Sequence, residues 1–311
     1  GAQTPSQSTV PVIAGSHWIA GTGTAATSTL RGATYGVSTT DNLNYFVAVG
    51  DGGAIYKTQD TVSQSLAGYA WSLVTPATAI ATDFHAAIYA LGQFVAVGAN
   101  GAVNNVYRST DLATWTGATT SITTGLNALA SNGGTLVAVG DGGKIYYSAD
   151  AINWTPVAAT GTTANLYGVA YSSTFGWVAV GQGGVLITSP DLVTWTVRTS
   201  NAGANDLHGI AISSGNIFVA VGNNATLVKS TDGINWAVQT LTGTANLYAV
   251  NTDSVQFLTV GQGGVALTSA DGIAWTTVAS TGTSNDLLSL YGSTTKYMVV
   301  GKSGTTASSI N

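Results

Sequence analysis

Neither cysteine nor glutamate occurs among the 311 residues. The first absence excludes a disulfide scaffold, a thiolate metal site and a cysteine nucleophile; the second excludes every mechanism built on a glutamate. Arginine is scarce, with Arg31, Arg108 and Arg198 standing alone, and cations total 8 against 13 aspartates. A nucleic-acid groove neutralises phosphates with clustered Lys and Arg, so no nucleic-acid partner is expected. No apolar run approaches the ~18 residues of a membrane-spanning helix, so no membrane insertion is expected either. No metal or cofactor signature is present. What remains is a chain with 45% hydrophobic and 7% charged residues, 40 glycines and 8 tryptophans, able to bury a large core.

That chain repeats. Val47-Ala48-Val49-Gly50 returns with glycines at 98, 140, 181 and 222, then as Leu-Thr-Val-Gly261 and Met-Val-Val-Gly301. The intervals are 48, 42, 41, 41, 39 and 40 residues, giving seven copies. An aspartate in a Ser/Thr-rich turn follows most of these glycines: Asp60, Asp111, Asp150, Asp191, Asp232 and Asp271. Trp71, Trp115, Trp154, Trp195, Trp236 and Trp275 come next.

Each unit reads as four short strands. In the fourth they are Leu166 to Tyr171, Trp177 to Val180, Val185 to Thr188 and Trp195 to Arg198, rich in the β-branched and aromatic residues that fit a pleated surface. Gly181-Gln182-Gly183-Gly184 supplies the positive φ angles of a tight hairpin. No segment shows helical apolar spacing, so no helix is expected. Four strands every ~40 residues predict an all-β, seven-bladed β-propeller of four-stranded antiparallel blades. The last unit, Asn285 to Ser309, supplies three strands, and Trp18 near the start supplies the missing fourth. Residues 1–12 read as a flexible leader, and 13–311 as one propeller domain. Insertions are expected between Asp60 and Trp71 and near Ala102 to Asn105.

The Ser-x-Asp-Gly-x-x-Trp turn, as in Ser230 to Trp236, resembles the repeats of Asp-box, or BNR-type, propellers. That family includes sialidases and photosystem II assembly factors of the Ycf48 type. The resemblance implies the propeller fold but little about activity. A sialidase site, as the resemblance would have it, needs a triad of arginines, a Tyr–Glu pair and an aspartic acid. Without glutamate, and with its arginines at three different places in the repeat, this chain falls in a non-sialidase branch. Its turn is also shorter than the usual box, because Gly233 directly follows Asp232.

Tryptophans and turn aspartates recur in nearly every unit, as packing and capping residues do. A ligand site is sought where the copies disagree. The position after the leucine or phenylalanine that opens each first strand holds Arg31, His85, Asn127, Tyr167, His208, Tyr248 and Leu288. Asp83, Asp206 and Asp286 precede three of these, and Asp51, Asp141, Gln182, Asn223, Gln262 and Lys302 occupy hairpin tips on the same face. This mouth of the channel is the expected ligand site, and the aspartate turns should face away from it.

Three functions fit these residues. The first is a secreted or cell-surface bacterial protein binding a glycan or protein ligand without catalysis; low charge and abundant Ser, Thr and Gly point outside the cell, although the sequence carries no signal peptide. The second is a structural subunit self-associating through weakly protected outer strands. The third is a glycoside hydrolase using two of Asp83, Asp206 and Asp286.

Overall fold

A computed structural model describes residues 17–99, 104–120, 122–253, 255–293 and 296–310. Seven four-stranded antiparallel sheets, one per repeat, are arranged with their first strands side by side around an axis. Blade 4 runs outward through Leu166–Ser172, Gly176–Gly181, Leu186–Ser189 and Thr196–Arg198. Its second strand is buried along its whole length, because neighbouring blades cover both faces. That double burial explains why the repeat reads Val-Ala-Val-Gly rather than alternating with polar residues.

Among the described residues, the apolar side chains form seven clusters, each shared by two adjacent blades. The recurring tryptophan always faces the preceding blade: Trp115 packs with Val47 and Tyr45 of blade 1, and Trp236 with Val178 and Val180 of blade 4. Trp18 lies against Leu258 and Val260 of blade 6, the equivalent place for blade 7. The seventh cluster joins Met298 and Val300 of blade 7 to Leu30, Phe46 and Trp71 of blade 1. The wheel is therefore closed.

Closure is made by Trp18–Ala20, which pairs with Thr306–Ile310 in the register Trp18–Ser309, Ile19–Ser308 and Ala20–Ala307. The chain then crosses to blade 1, where Thr22 N–H donates to Tyr69 O at 2.9 Å and Trp71 N–H to Thr22 O at 2.8 Å. The proposed leader, residues 1–12, lies outside the described residues. So do Ala102 and Val103 of the second insertion, whereas Asn104 Nδ2 donates to Ala118 O at 2.7 Å and ties its end to the blade.

The aspartate turns are self-contained caps. In blade 5, Asp232 Oδ1 accepts from Ile234 N and Asn235 N, both at 2.8 Å, and Trp236 Nε1 donates to Gly233 O at 3.1 Å. Blades 2, 3, 4 and 6 repeat the Asp bonds. These backbone N–H groups hold Asp150, Asp191, Asp232 and Asp271 below the usual carboxylate range.

Blade 1 departs from the repeat. Its insertion contains a helix, Val62–Ala67, capped by Thr61 Oγ1 accepting from Gln64 N. The all-strand expectation is corrected here: six residues are too few to show a helical period, and the cap was the available signal. Asp60 does not cap its own turn. It accepts from Tyr35 at 3.0 Å, Tyr69 at 2.7 Å and Lys296 of blade 7 at 2.7 Å. Burial pushes this carboxyl up, but Lys296 and the two hydroxyls outweigh it and leave it below the ordinary value.

Hairpin tips between second and third strands take the turn that consecutive glycines permit. Gly52 and Gly53 have φ +67° and +74°, and Ala54 N–H closes onto Asp51 O, the pattern of a type I′ turn. A Cβ at Gly53 would stand 2.0 Å from Ile80 O. Blade 5 places Asn224 and Ala225 there, at φ +54° and +53°.

Outer strands span only two or three residues each. Such short edges are poor templates for another chain, and this weakens the expectation of assembly through them.

Two outcomes follow. Deleting residues 1–21 lowers the melting temperature by about 10 °C relative to deleting residues 1–16, because the Trp18 strand goes with the longer cut; equal melting would contradict closure. Ala225→Gly stabilises the protein by roughly 1 kcal/mol and Gly53→Ala destabilises it by at least ~1 kcal/mol in denaturant unfolding, since only glycine adopts left-handed φ without strain.

Candidate functional site

Every first strand carries the same irregularity. In blade 4 Leu166 pairs with Gly181, and the next pair is Gly168 with Val180, which leaves Tyr167 opposite nothing. Equivalent register shifts isolate Arg31, His85, Asn127, His208, Tyr248 and Leu288. Each is the extra residue of a β-bulge, a device that turns a side chain out of the pleat. These seven side chains line one cavity of about 250 Å³ at a single mouth. The sequence placed them on one rim but did not reveal the bulges, since one unpaired residue changes no local pattern.

Behind the mouth a channel of about 730 Å³ runs between the first strands. The residue following each bulge is small: Gly32, Ala86, Ala128, Gly168, Gly209, Ala249 and Ser289. Added Cβ atoms show why. At Gly32 the atom would stand 2.8 Å from Ala87 N, and at Gly209 3.2 Å from Val250 N, both backbone atoms of the next blade. Tyr35, Tyr89, Tyr171 and Tyr291 line the channel farther along, and sequence reasoning did not single them out.

Two arcs compose the rim. In the polar arc, Arg31 grips Asp51 through two bonds of 2.6 and 3.0 Å, and this contact holds its guanidinium above the ordinary value despite partial burial. His85 Nδ1 lies 3.0 Å from Leu126 O and 2.9 Å from Asn127 Oδ1. The Asn127 amide is oriented by donating to Asp141 Oδ1 and Leu166 O, both at 3.0 Å. Two acceptors therefore face His85 Nδ1, which carries the ring proton and leaves Nε2 as the other ring nitrogen. In the aromatic arc, the ring of His208 lies 5.5 Å from Tyr167 and 5.6 Å from Tyr248. His208 Nε2 also meets Asn223 Oδ1 at 2.7 Å.

Hairpin-tip residues divide by what the bulge offers. Where the bulge residue is Arg31, Asn127 or His208, the tip residue of the same blade bonds to it. Where it is Tyr167, Tyr248 or Leu288, the tip residue bonds to the lead-in residue instead: Gln182 to Asn165, Gln262 to Asn246 and Lys302 to Asp286. The hydroxyls of Tyr167 and Tyr248 thus have no hydrogen-bond partner among the described residues.

The three lead-in aspartates have structural duties. Asp83, Asp206 and Asp286 accept the tip N–H of the preceding blade, from Gly52, Gly183 and Gly263, at 2.7, 2.7 and 2.9 Å. Asn165 and Asn246 do the same for Gly142 and Asn224. They are latches between blades, placed by the short connection from each outer strand. Lys302, at 2.6 Å, and the Gly263 N–H hold the Asp286 carboxyl below its ordinary value, whereas a glycosidase acid requires a raised one.

Residues 68–207 match the family model described as DUF6242 beta propeller domain. No curated protein sequence matches the chain. Solved structures match along nearly its whole length. A structure of YCF48 bound to D1 peptide is 16% identical, with 95% of this chain and 94% of that one covered and a TM-score of 0.72. YCF48 from Cyanidioschyzon merolae is 17% identical over 94% and 98% of the two chains, with a TM-score of 0.68. A catalytically inactive virginiamycin B lyase from Staphylococcus aureus with quinupristin is 8% identical over 95% and 99%, with a TM-score of 0.76. At these identities the likeness is one of fold.

The acceptor pair around His85 makes a spectroscopic prediction. Long-range 1H–15N spectra of the neutral ring show the proton on Nδ1; a proton on Nε2 would contradict the rim geometry.

Proposed function

We propose that this propeller is a non-catalytic binding protein that holds a segment of a partner protein at the bulge-lined mouth. One observation carries the reading: seven β-bulges at equivalent positions turn seven side chains of five chemical types toward one cavity. A purely structural ring would repeat one residue type, as the Val-Ala-Val-Gly strands and the small residues around the axis do. Two unpartnered tyrosine hydroxyls on half-buried rings that line the cavity supply contact area at little conformational cost, a recurrent feature of protein-binding surfaces. The peptide carried by YCF48 in its solved structure gives the reading a precedent in a propeller of similar fold.

Glycan binding remains a second reading on the same tyrosines, because ring faces stack on sugars as well as on peptide groups. The chain's low charge supports a place outside the cell. Hydrolysis is not proposed: the aspartates that it would need are engaged as latches.

Selection of random peptides on the intact protein, with counter-selection on the Tyr167→Ala/Tyr248→Ala variant, tests the reading. It predicts peptides whose affinity falls at least ~10-fold on the variant while its melting is unchanged, the loss expected when contact residues at a binding centre are truncated. Peptides binding both proteins equally would contradict it. A glycan array run in parallel with the same variant would move the ligand to carbohydrate if tyrosine-dependent signals arose there alone.

A further inference from the structure

Charge is unevenly distributed around the mouth. Five carboxylates surround it, from Asp51, Asp83, Asp141, Asp206 and Asp286. Asp51 is neutralised by Arg31 and Asp286 by Lys302. Lys302 sits near Tyr248 and Arg31, and its Asp286 partner raises its pKa. The cations are therefore concentrated on the side of blades 7 and 1.

The sector around blade 4 is different. Asp141, at the tip of blade 3, is bonded by the neutral Asn127 amide, and Asp206 by the neutral Gly183 N–H of the blade 4 tip. Among the described residues no cation stands within ion-pair distance of either; Lys144 follows the blade 3 tip but is exposed and makes no such pair. Between these two carboxylates, in blade order, stands the bulge residue Tyr167, with its hydroxyl unpartnered and its ring on the cavity. A tyrosine face attracts cations through its quadrupole, and a carboxylate attracts them more strongly where water is partly excluded.

We infer that the Tyr167 sector receives a lysine or arginine side chain of the partner segment, its cationic head held by Asp141 and Asp206 over the tyrosine ring. This rests on reading the mouth as a protein-binding site. It adds the chemistry of the contact: the ligand is basic, and its anchoring residue enters beside blade 4 rather than beside Arg31 and Lys302, which would repel it. Leu288 and Tyr248 complete a less polar wall for the neighbouring residue of the segment.

The protein supplies its own controls. Asp206→Asn keeps the latch, because Asn165 and Asn246 make the same bond in other blades. Asp141→Asn likewise keeps an acceptor for Asn127. Neither change is therefore expected to alter folding, and thermal melting checks that.

The test uses Nα-acetyl-lysine methylamide and Nα-acetyl-arginine methylamide, with the norleucine and glutamine analogues as neutral controls, titrated into the full chain and followed on the Tyr167 ring signals. The proposal predicts saturable shifts for the two cationic probes alone. It predicts binding about tenfold weaker in Asp141→Asn/Asp206→Asn, and weaker again as salt rises from about 0.05 to about 0.5 M. Equal binding of norleucine and lysine probes, or cation binding unchanged in the double variant, overturns it. If that occurs while tyrosine-dependent peptides have been selected on the same protein, the mouth still binds a partner and only its assigned charge is wrong.

Discussion

Seven first strands must fit around one axis, and every other feature of the molecule accommodates that crowding. Neighbouring strands approach so closely that a side chain at Gly32 or Gly209 would meet the next blade's backbone. The strands can come together only if the position beyond each bulge stays small, and they can stay together only if the circle has no free end. A missing outer strand in blade 7 would leave Trp18's slot empty and the adjoining cluster with Leu258 and Val260 exposed. The amino-terminal strand removes that defect. Asp60 and Lys296, reaching across the same seam, reinforce the junction with an ion pair.

The crowding also explains how a repetitive protein acquires a particular surface. Bulges lift one residue per blade out of the ladder at the rim, where its side chain lines the cavity. Residues that hold neighbours in register are constrained to repeat; bulge residues are not. Positions of identical geometry have thus diverged into an arginine, two histidines, an asparagine, two tyrosines and a leucine. Hairpin tips and lead-in residues then adapt to what each bulge presents, bonding to a polar one and bypassing an aromatic one. The result is a rim with a fixed polar arc and an aromatic arc that retains unused hydrogen-bonding capacity.

Much of this was legible from spacing alone. The Val-Ala-Val-Gly glycines gave the number of blades, the tryptophans gave the interblade slots, and Trp18 gave the closing strand. The rim positions were found by asking where aligned copies disagree. Features that depend on one residue or on long-range contact were not legible. The Val62–Ala67 helix is too short to have a period, and Asp60 looks like its repeat relatives until Lys296 of a distant unit is brought beside it. The sequence does not show that the aspartates at 83, 206 and 286 each receive a backbone N–H from the preceding blade. Their asparagine counterparts, Asn165 and Asn246, held that clue.

Closure can be measured directly because the chain has no native thiol. Gly21 N–H donates to Thr306 O at 2.9 Å, so the adjacent pair, Ala20 and Ala307, is a closely spaced one without its own ladder bonds. Its Cα separation falls within the range a disulfide spans. Mild oxidation of Ala20→Cys/Ala307→Cys should give a monomeric intramolecular disulfide and a higher melting temperature that reduction reverses. Thiols that stay free, or link only between molecules, would show that the two ends do not meet and that the wheel is open.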